Sequence, residues 1–68
     1  MITTTLNIPA ISCNHCVMTV SREAGFVDGA EFVSGDVENR TATFQVASDE
    51  ALVALKATLA EAGYPVEG

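Results

Sequence analysis

The apolar residues of this 68-residue chain change their spacing several times, and the order of these changes restricts the fold more than any other feature. Residues 2–8 and 41–46 alternate with a period of two, which indicates strands with one buried face. Residues 15–25 and 49–62 carry apolar side chains at helical spacing instead. The chain is therefore expected to mix short strands with two helices.

The complete order of elements is predicted to be β-α-β-β-α-β. A second strand is expected over 30–37, with Val33 and Val37 in phase, and a turn at 38–40 would join it to the third strand. A short last strand after Gly63 would lie at an edge, because Pro65 has no N–H. This order predicts an α+β, ferredoxin-like sandwich, with a four-stranded antiparallel sheet and both helices on one face. We expect residues 1–68 to form a single domain.

Short polar residues and glycines mark the predicted helix ends. Ser12 or Asn14 is expected to cap the first helix, and Gly25 to end it. The second helix is expected to start at Ser48 or Asp49. Its buried stripe is predicted to comprise Leu52, Leu55, Leu59 and Ala62, followed by a glycine cap at Gly63.

The charge distribution disfavours several classes of function. The chain has nine acidic and three basic residues, a net charge of −6, and no cluster of Lys or Arg. Binding to nucleic acids or anionic membranes is therefore not expected. The acidic surface would fit a partner with a basic face, but it could equally serve only to keep the protein soluble. The N-terminus does not have the pattern of a signal peptide, and no apolar run is long enough to span a membrane. We expect a cytoplasmic protein, whose cysteines would stay reduced.

Two cysteines, Cys13 and Cys16, carry the most specific chemistry in the chain. They fall where the loop after the first strand enters the first helix, and the helix dipole there favours thiolates. Structural zinc normally needs four ligands, and no second such pair is present. Soft thiolates select Cu(I) among common ions, so we predict an open Cu(I) site made by these two residues.

The residues around the cysteines have more than one interpretation. His15 could act as a third ligand or tune the thiolates, but an exposed side chain is the preferred interpretation for a monomer. In a metal-bridged homodimer, His15 could still contact the ion. Ile11 is expected to anchor the loop to the core, and Met18 to pack instead of binding metal.

A dithiol redox protein is the main alternative, because a Cys-x-x-Cys at a helix start also occurs in thioredoxin-like proteins. That fold needs a longer chain and another strand order. No nucleophile with a separate paired base and no glycine-rich phosphate loop is visible, so we do not expect an enzyme.

Over essentially its whole length the chain resembles the heavy-metal-associated domain family, which includes bacterial copper chaperones and soluble domains of copper-transporting ATPases. The family's Gly-Met-x-Cys-x-x-Cys loop corresponds to residues 10–16, its Gly-Val to Gly29-Ala30 and its Gly-Tyr to Gly63-Tyr64. Ala10 and Ile11 replace the Gly and Met of the loop, and Gly35 replaces an apolar strand residue.

The resemblance implies that Cys13 and Cys16 bind Cu(I) and exchange it with a copper-transporting P-type ATPase or a copper-responsive regulator. It also implies that Tyr64 approaches the metal site, although an aromatic core position is an equal possibility. Zinc- and cadmium-handling relatives often have Asp before the first Cys, and Ser12 stands there in this chain. A chaperone for Zn(II) or Hg(II), or a binding module of a larger ATPase, remains an alternative.

Overall fold

A computed structural model describes residues 2–67 and contains the five elements expected before the C-terminal segment. The elements are β1 (Ile2–Asn7), α1 (Asn14–Ala24), β2 (Ala30–Asp36), β3 (Thr41–Val46) and α2 (Asp49–Glu61). The sheet is antiparallel with the order β1-β3-β2, so β3 lies at its centre. The ferredoxin-like arrangement of two helices and an antiparallel sheet is confirmed.

The core lies between one face of the sheet and the two helices. β3 buries Ala42, Phe44 and Val46, the three residues that the alternating pattern selects. α2 contributes a buried stripe of Ala51, Leu55 and Leu59, whereas Leu52 and Ala62 are only partly buried. Phe32 of β2 meets Phe44 edge to face, with ring centroids 5.7 Å apart, a favoured aromatic geometry.

The prediction of a four-stranded sheet is wrong for the described residues. The segment after α2 makes one isolated bridge, in which the Glu67 N–H donates to the Asn7 carbonyl at 2.8 Å. Pro65 lacks the N–H that a ladder would need at that position. Within residues 2–67 the sheet therefore has three strands.

A bulge in β2 changes which side chains face the core. The pairing with β3 shifts between Phe32 and Ser34, which leaves Val33 as the extra residue. Val33 is therefore half exposed, whereas Phe32 and Val37 pack against the core. The prediction that Val33 and Val37 share a buried face is wrong, since an alternating pattern does not reveal a bulge.

The helix ends follow the sequence signals only in part. Ser48 is the N-cap of α2 and accepts a hydrogen bond from the Ala51 N–H at 3.2 Å, as expected. Gly63, just beyond α2, has a φ of +93°, the left-handed conformation that favours glycine. The cap predicted for α1 is wrong, because Cys13 occupies the N-cap position and makes no side-chain cap bond.

Gly35 allows α1 to approach β2 closely. A Cβ built on Gly35 would lie 2.7 Å from Cγ1 of Val17, nearer than side-chain carbons approach one another. The space that an apolar side chain would occupy at this strand position is thus filled by Val17 from the helix. Val17 directly follows Cys16, so this contact lies next to the cysteine in the chain.

We expect Gly35→Ala to destabilise the protein by about 1–3 kcal/mol, since Val17 is β-branched and cannot easily rotate away. This overpacking outweighs the gain of up to about 1 kcal/mol that Ala normally brings by restricting the unfolded chain. Urea unfolding of wild type, Gly35→Ala, Val17→Ala and the double variant measures the effect. The double variant should be more stable than the sum of the single changes predicts, and strictly additive effects would contradict the contact.

Candidate metal centre

The loop between β1 and α1 is held to the core at both of its ends. The Ile8 N–H donates to the Arg40 carbonyl at 2.8 Å, and the Ile11 N–H donates to the Ile8 carbonyl at 3.0 Å. Ile8 and Ile11 are both fully buried. The expected anchoring role of Ile11 is confirmed, and the anchored loop delivers Cys13 to the start of α1.

The two cysteine sulfurs face each other at the surface. Cys13 Sγ and Cys16 Sγ are 3.6 Å apart, and both residues are free thiols. Two sulfurs on one ion at a metal–sulfur distance of about 2.3 Å would be about 3.8 Å apart at a tetrahedral angle and about 4.6 Å apart in a line. Cys13 is exposed, whereas Cys16 is partly buried. A small rotation of the exposed side chain would therefore bring both sulfurs onto one ion.

The N-terminus of α1 lacks the groups that normally neutralise a helix start. It has no side-chain cap and no acidic residue in its first turn, whereas α2 has Ser48, Asp49 and Glu50. The positive end of the α1 dipole is thus left to the sulfurs. Ser12 does not cap the helix, since its Oγ lies 3.8 Å from Cys16 Sγ. This arrangement favours the thiolate form of Cys16.

The pKa of the Cys16 thiol is lowered from 9.0 to about 6. The largest cause is a side-chain hydrogen bond from Tyr64, followed by a backbone hydrogen bond from Ser12. Partial burial opposes this effect, and the side chains of Cys13 and Ser12 add to it. At pH 7 Cys16 is therefore mainly a thiolate, and protons compete with a metal ion for it mainly below about pH 6.

The same interaction is visible from Tyr64, whose pKa is raised chiefly by the hydrogen bond to Cys16. A phenol that donates to a thiolate resists losing its proton. The tyrosine is held at the end of α2, where its N–H donates to the Leu59 carbonyl at 2.8 Å. The pKa shifts of both groups indicate that the Tyr64 hydroxyl lies near Cys16, as the family resemblance implied. The tyrosine also packs against the core, which was the alternative expectation.

Other candidate ligands are not gathered at this site. Among residues 2–67 no group of three or more His, Cys, Asp and Glu side chains could hold a metal ion. His15 is exposed, and its carbonyl accepts a hydrogen bond from Thr19 Oγ1 at 3.0 Å. Met18 is 63% exposed and does not pack in the core as expected. The described residues thus offer one pair of cysteine sulfurs, open on the solvent side.

Tyr64→Phe should raise the pKa of Cys16 toward 9.0, because the strongest hydrogen-bond donor to the thiolate is removed while the ring is kept. Ultraviolet absorbance of the thiolate, followed across pH in metal-free reduced protein, measures this pKa. A Cys13→Ser background isolates the Cys16 titration, with Tyr or Phe at position 64 as the matched pair. Identical titration curves for the pair would show that the hydroxyl does not stabilise the thiolate.

None of the helices in residues 2–67 is both long and apolar enough to cross a membrane.

Comparison with known proteins gives similarities that span nearly the whole chain. The COP-associated protein of Helicobacter pylori strain J99 is 29% identical over 62 residues, covering 91% of this chain and 94% of the relative. The mercuric transport protein periplasmic component of Pseudomonas aeruginosa is 38% identical over 65 residues, covering 93% of this chain and 70% of the relative. A structure of the copper chaperone Atx1 from Synechocystis PCC6803 superimposes with a TM-score of 0.79 at 29% identity, covering 94% of this chain and 98% of Atx1.

Residues 5–65 match the heavy-metal-associated domain, a range that includes the anchored loop, both cysteines and Tyr64. The match extends over most of the chain and agrees with the order of helices and strands. The chain belongs to the heavy-metal-associated domain family.

Proposed function

We propose that this protein is a copper chaperone that holds one Cu(I) ion between Cys13 and Cys16 and passes it to a partner protein. The observation that carries the proposal is the pair of sulfurs, 3.6 Å apart at an uncapped helix start. In the proposal, residues 1–68 act as a single heavy-metal-associated domain. The copper chaperone Atx1, to which the fold is similar, supports copper as the cargo.

The donor set favours a soft ion of low coordination number. Two thiolates suit Cu(I), whereas structural Zn(II) normally has four ligands. Ser12 precedes the first cysteine and offers no carboxylate that would favour a harder ion. Hg(II) is the second candidate cargo, since it is also soft and the mercuric transport relative is 38% identical.

Transfer would proceed by ligand exchange without any change in the oxidation state of copper. An incoming partner thiolate forms a third sulfur–copper bond, and the bond to one resident cysteine then breaks. Cys13 is the better leaving ligand, because it is exposed and reachable. Cys16, which is partly buried, would hold the ion until the partner has bound it.

The partner in this proposal is a copper-transporting P-type ATPase or a copper-responsive regulator, reached in the cytoplasm, where thiols stay reduced. The net charge of −6 suits a basic docking surface on that partner. The protein would act by binding and release, not as an enzyme. Two open sites could also share one ion in a metal-bridged homodimer.

We expect Cys13→Ser and Cys16→Ser each to weaken Cu(I) binding by more than about 100-fold, beyond the ~10–100-fold typical of losing an outer-shell partner. Anaerobic competition against a Cu(I) chelator measures the affinity. Met18→Ala is the matched control, since it removes an exposed sulfur from the same helix and should leave the affinity unchanged. A double Ser variant that still retained Cu(I) would refute the site.

The same competition with Hg(II) and Zn(II) decides which ion is the cargo. We expect Zn(II) to be lost to a chelator that leaves Cu(I) bound, because two ligands do not complete a zinc site. Transfer is tested by mixing the Cu(I)-loaded protein with a metal-free soluble domain of a copper ATPase and recording the mass of each. Copper that stays on this protein at an excess of acceptor would argue against a chaperone.

A further inference from the structure

β1 has an edge without a partner strand over most of its length. In residues 2–67, β1 pairs with β3 on one side, and on the other side its only contact is the single bridge between Asn7 and Glu67. Residues 2–6 therefore present backbone N–H and C=O groups to solvent along an unpaired edge. Such an edge is a template for pairing with another strand.

The two edges of the sheet differ in their protection against such pairing. β2 carries a bulge at Val33, a glycine at position 35 and charged residues at Glu31 and Asp36. These are the features that discourage strand addition at an edge. β1 has none of them between Ile2 and Leu6, since the segment reads Ile-Thr-Thr-Thr-Leu and pairs with β3 without a register shift.

The hydrogen bonds of β1 show which residues face the open edge. The Ile8 N–H donates to Arg40 of the hairpin, whereas the Asn7 carbonyl accepts from Glu67 on the opposite side. Because these groups alternate along an antiparallel strand, the backbone groups of Thr3 and Thr5 point outward like those of Asn7. Thr3 and Thr5 thus offer two backbone N–H donors and two backbone carbonyl acceptors at the open edge.

We propose that the open edge of β1 binds β1 of a second copy of this chain, as an antiparallel pair with its two-fold axis at Thr4. In this register Thr3 of each copy lies opposite Thr5 of the other, and the outward backbone groups of both residues form four hydrogen bonds. Glu67 beside Asn7 confines the pairing to residues 2–6. The segment is its own complement in this register alone.

The side chains also match in this register. On the core-facing side, Ile2, which is 52% exposed, would meet Leu6 of the other copy. On the outer face Thr3 of one copy would lie beside Thr5 of the other. Within the sheet Thr5 already lies beside Thr43 in the same way, with the two hydroxyl oxygens 3.0 Å apart. Since residues 2–6 carry no charged side chain, the pairing itself brings no like charges together. A shift by one residue would place the helices on opposite faces and lose the apolar match.

The resulting dimer is a six-stranded sheet with all helices on one face. Its two strands run in opposite directions, so the two cysteine sites lie at opposite ends and both stay open. It therefore differs from a metal-bridged dimer, in which the sites meet. The interface is small and each copy has a net charge of −6, so the association should be weak and should tighten as salt is added.

Sedimentation equilibrium of the full, metal-free, reduced chain tests the proposal. The weight-average mass should rise from that of a monomer toward that of a dimer between micromolar and millimolar protein. The Cys13→Ser/Cys16→Ser variant should behave like the wild type, because neither metal nor disulfide takes part. Wild-type protein that remains monomeric throughout this range, or a dimer that disappears with the cysteines, would overturn the inference.

Charge pairs at Thr3 and Thr5 test the register. Thr3→Glu/Thr5→Glu and Thr3→Lys/Thr5→Lys both place like charges opposite each other, and each should weaken dimerisation at least tenfold. Thr3→Lys/Thr5→Glu places opposite charges together, keeps the net charge of −6 and should restore the dimer. Since all three variants change the same two solvent-facing positions, unequal folding does not explain this pattern. Equal dimerisation of the three variants would show that another surface mediates the contact.

Discussion

The start of α1 is the point on which the site depends. A helix leaves its first N–H groups without internal partners, and most sequences supply a polar cap or an acidic residue there. α2 follows this rule with Ser48, Asp49 and Glu50. α1 does not, because a cysteine occupies its N-cap and its first turn contains no acid. The negative charge that this helix end favours is thus left to the two sulfurs.

The rest of the fold holds that helix end in place. Buried Ile11 anchors the incoming loop to the core, and Val17 in the first turn of α1 packs closely against Gly35 of the sheet. α2 ends at the same side of the molecule and brings Tyr64 to Cys16. Two helices and a loop therefore meet at the site, and each of them is anchored by apolar contacts with the core.

Much of this arrangement could be predicted from spacing alone. The alternation in β3 identified all three of its buried residues, and the change to helical spacing located both helices. These predictions succeed because burial of one face is a local property of a strand or helix. The position of the cysteine pair at a helix start followed from the same patterns, whereas its use as a metal site is a proposal that depends on thiolate chemistry.

The wrong predictions concern features that depend on other parts of the chain. The bulge at Val33 arises from how β2 pairs with β3, so the spacing within β2 could not reveal it. Within residues 2–67, the missing fourth strand depends on how the segment around Pro65 meets β1, where it makes a single bridge. The cap of α1 was assigned to Ser12 or Asn14 by residue preference, whereas the anchored loop places Cys13 there. The contribution of Tyr64 to the pKa of Cys16 had no signal in local spacing and came only from the family resemblance.

The proposed role as a metal carrier requires release of the ion without loss of the fold, and the placement of the site suits this role. The core is made of apolar residues, and the described residues include no buried polar or charged side chain. Cys13 is exposed and Cys16 only partly buried, so departure of a metal ion leaves no uncompensated charge in the interior. The hydrogen bonds from Tyr64 and Ser12 remain with the empty thiolate. In the proposed function, the apolar core would hold the fold without the ion, so that binding energy would be available for exchange between proteins, in contrast to small zinc domains that unfold without metal.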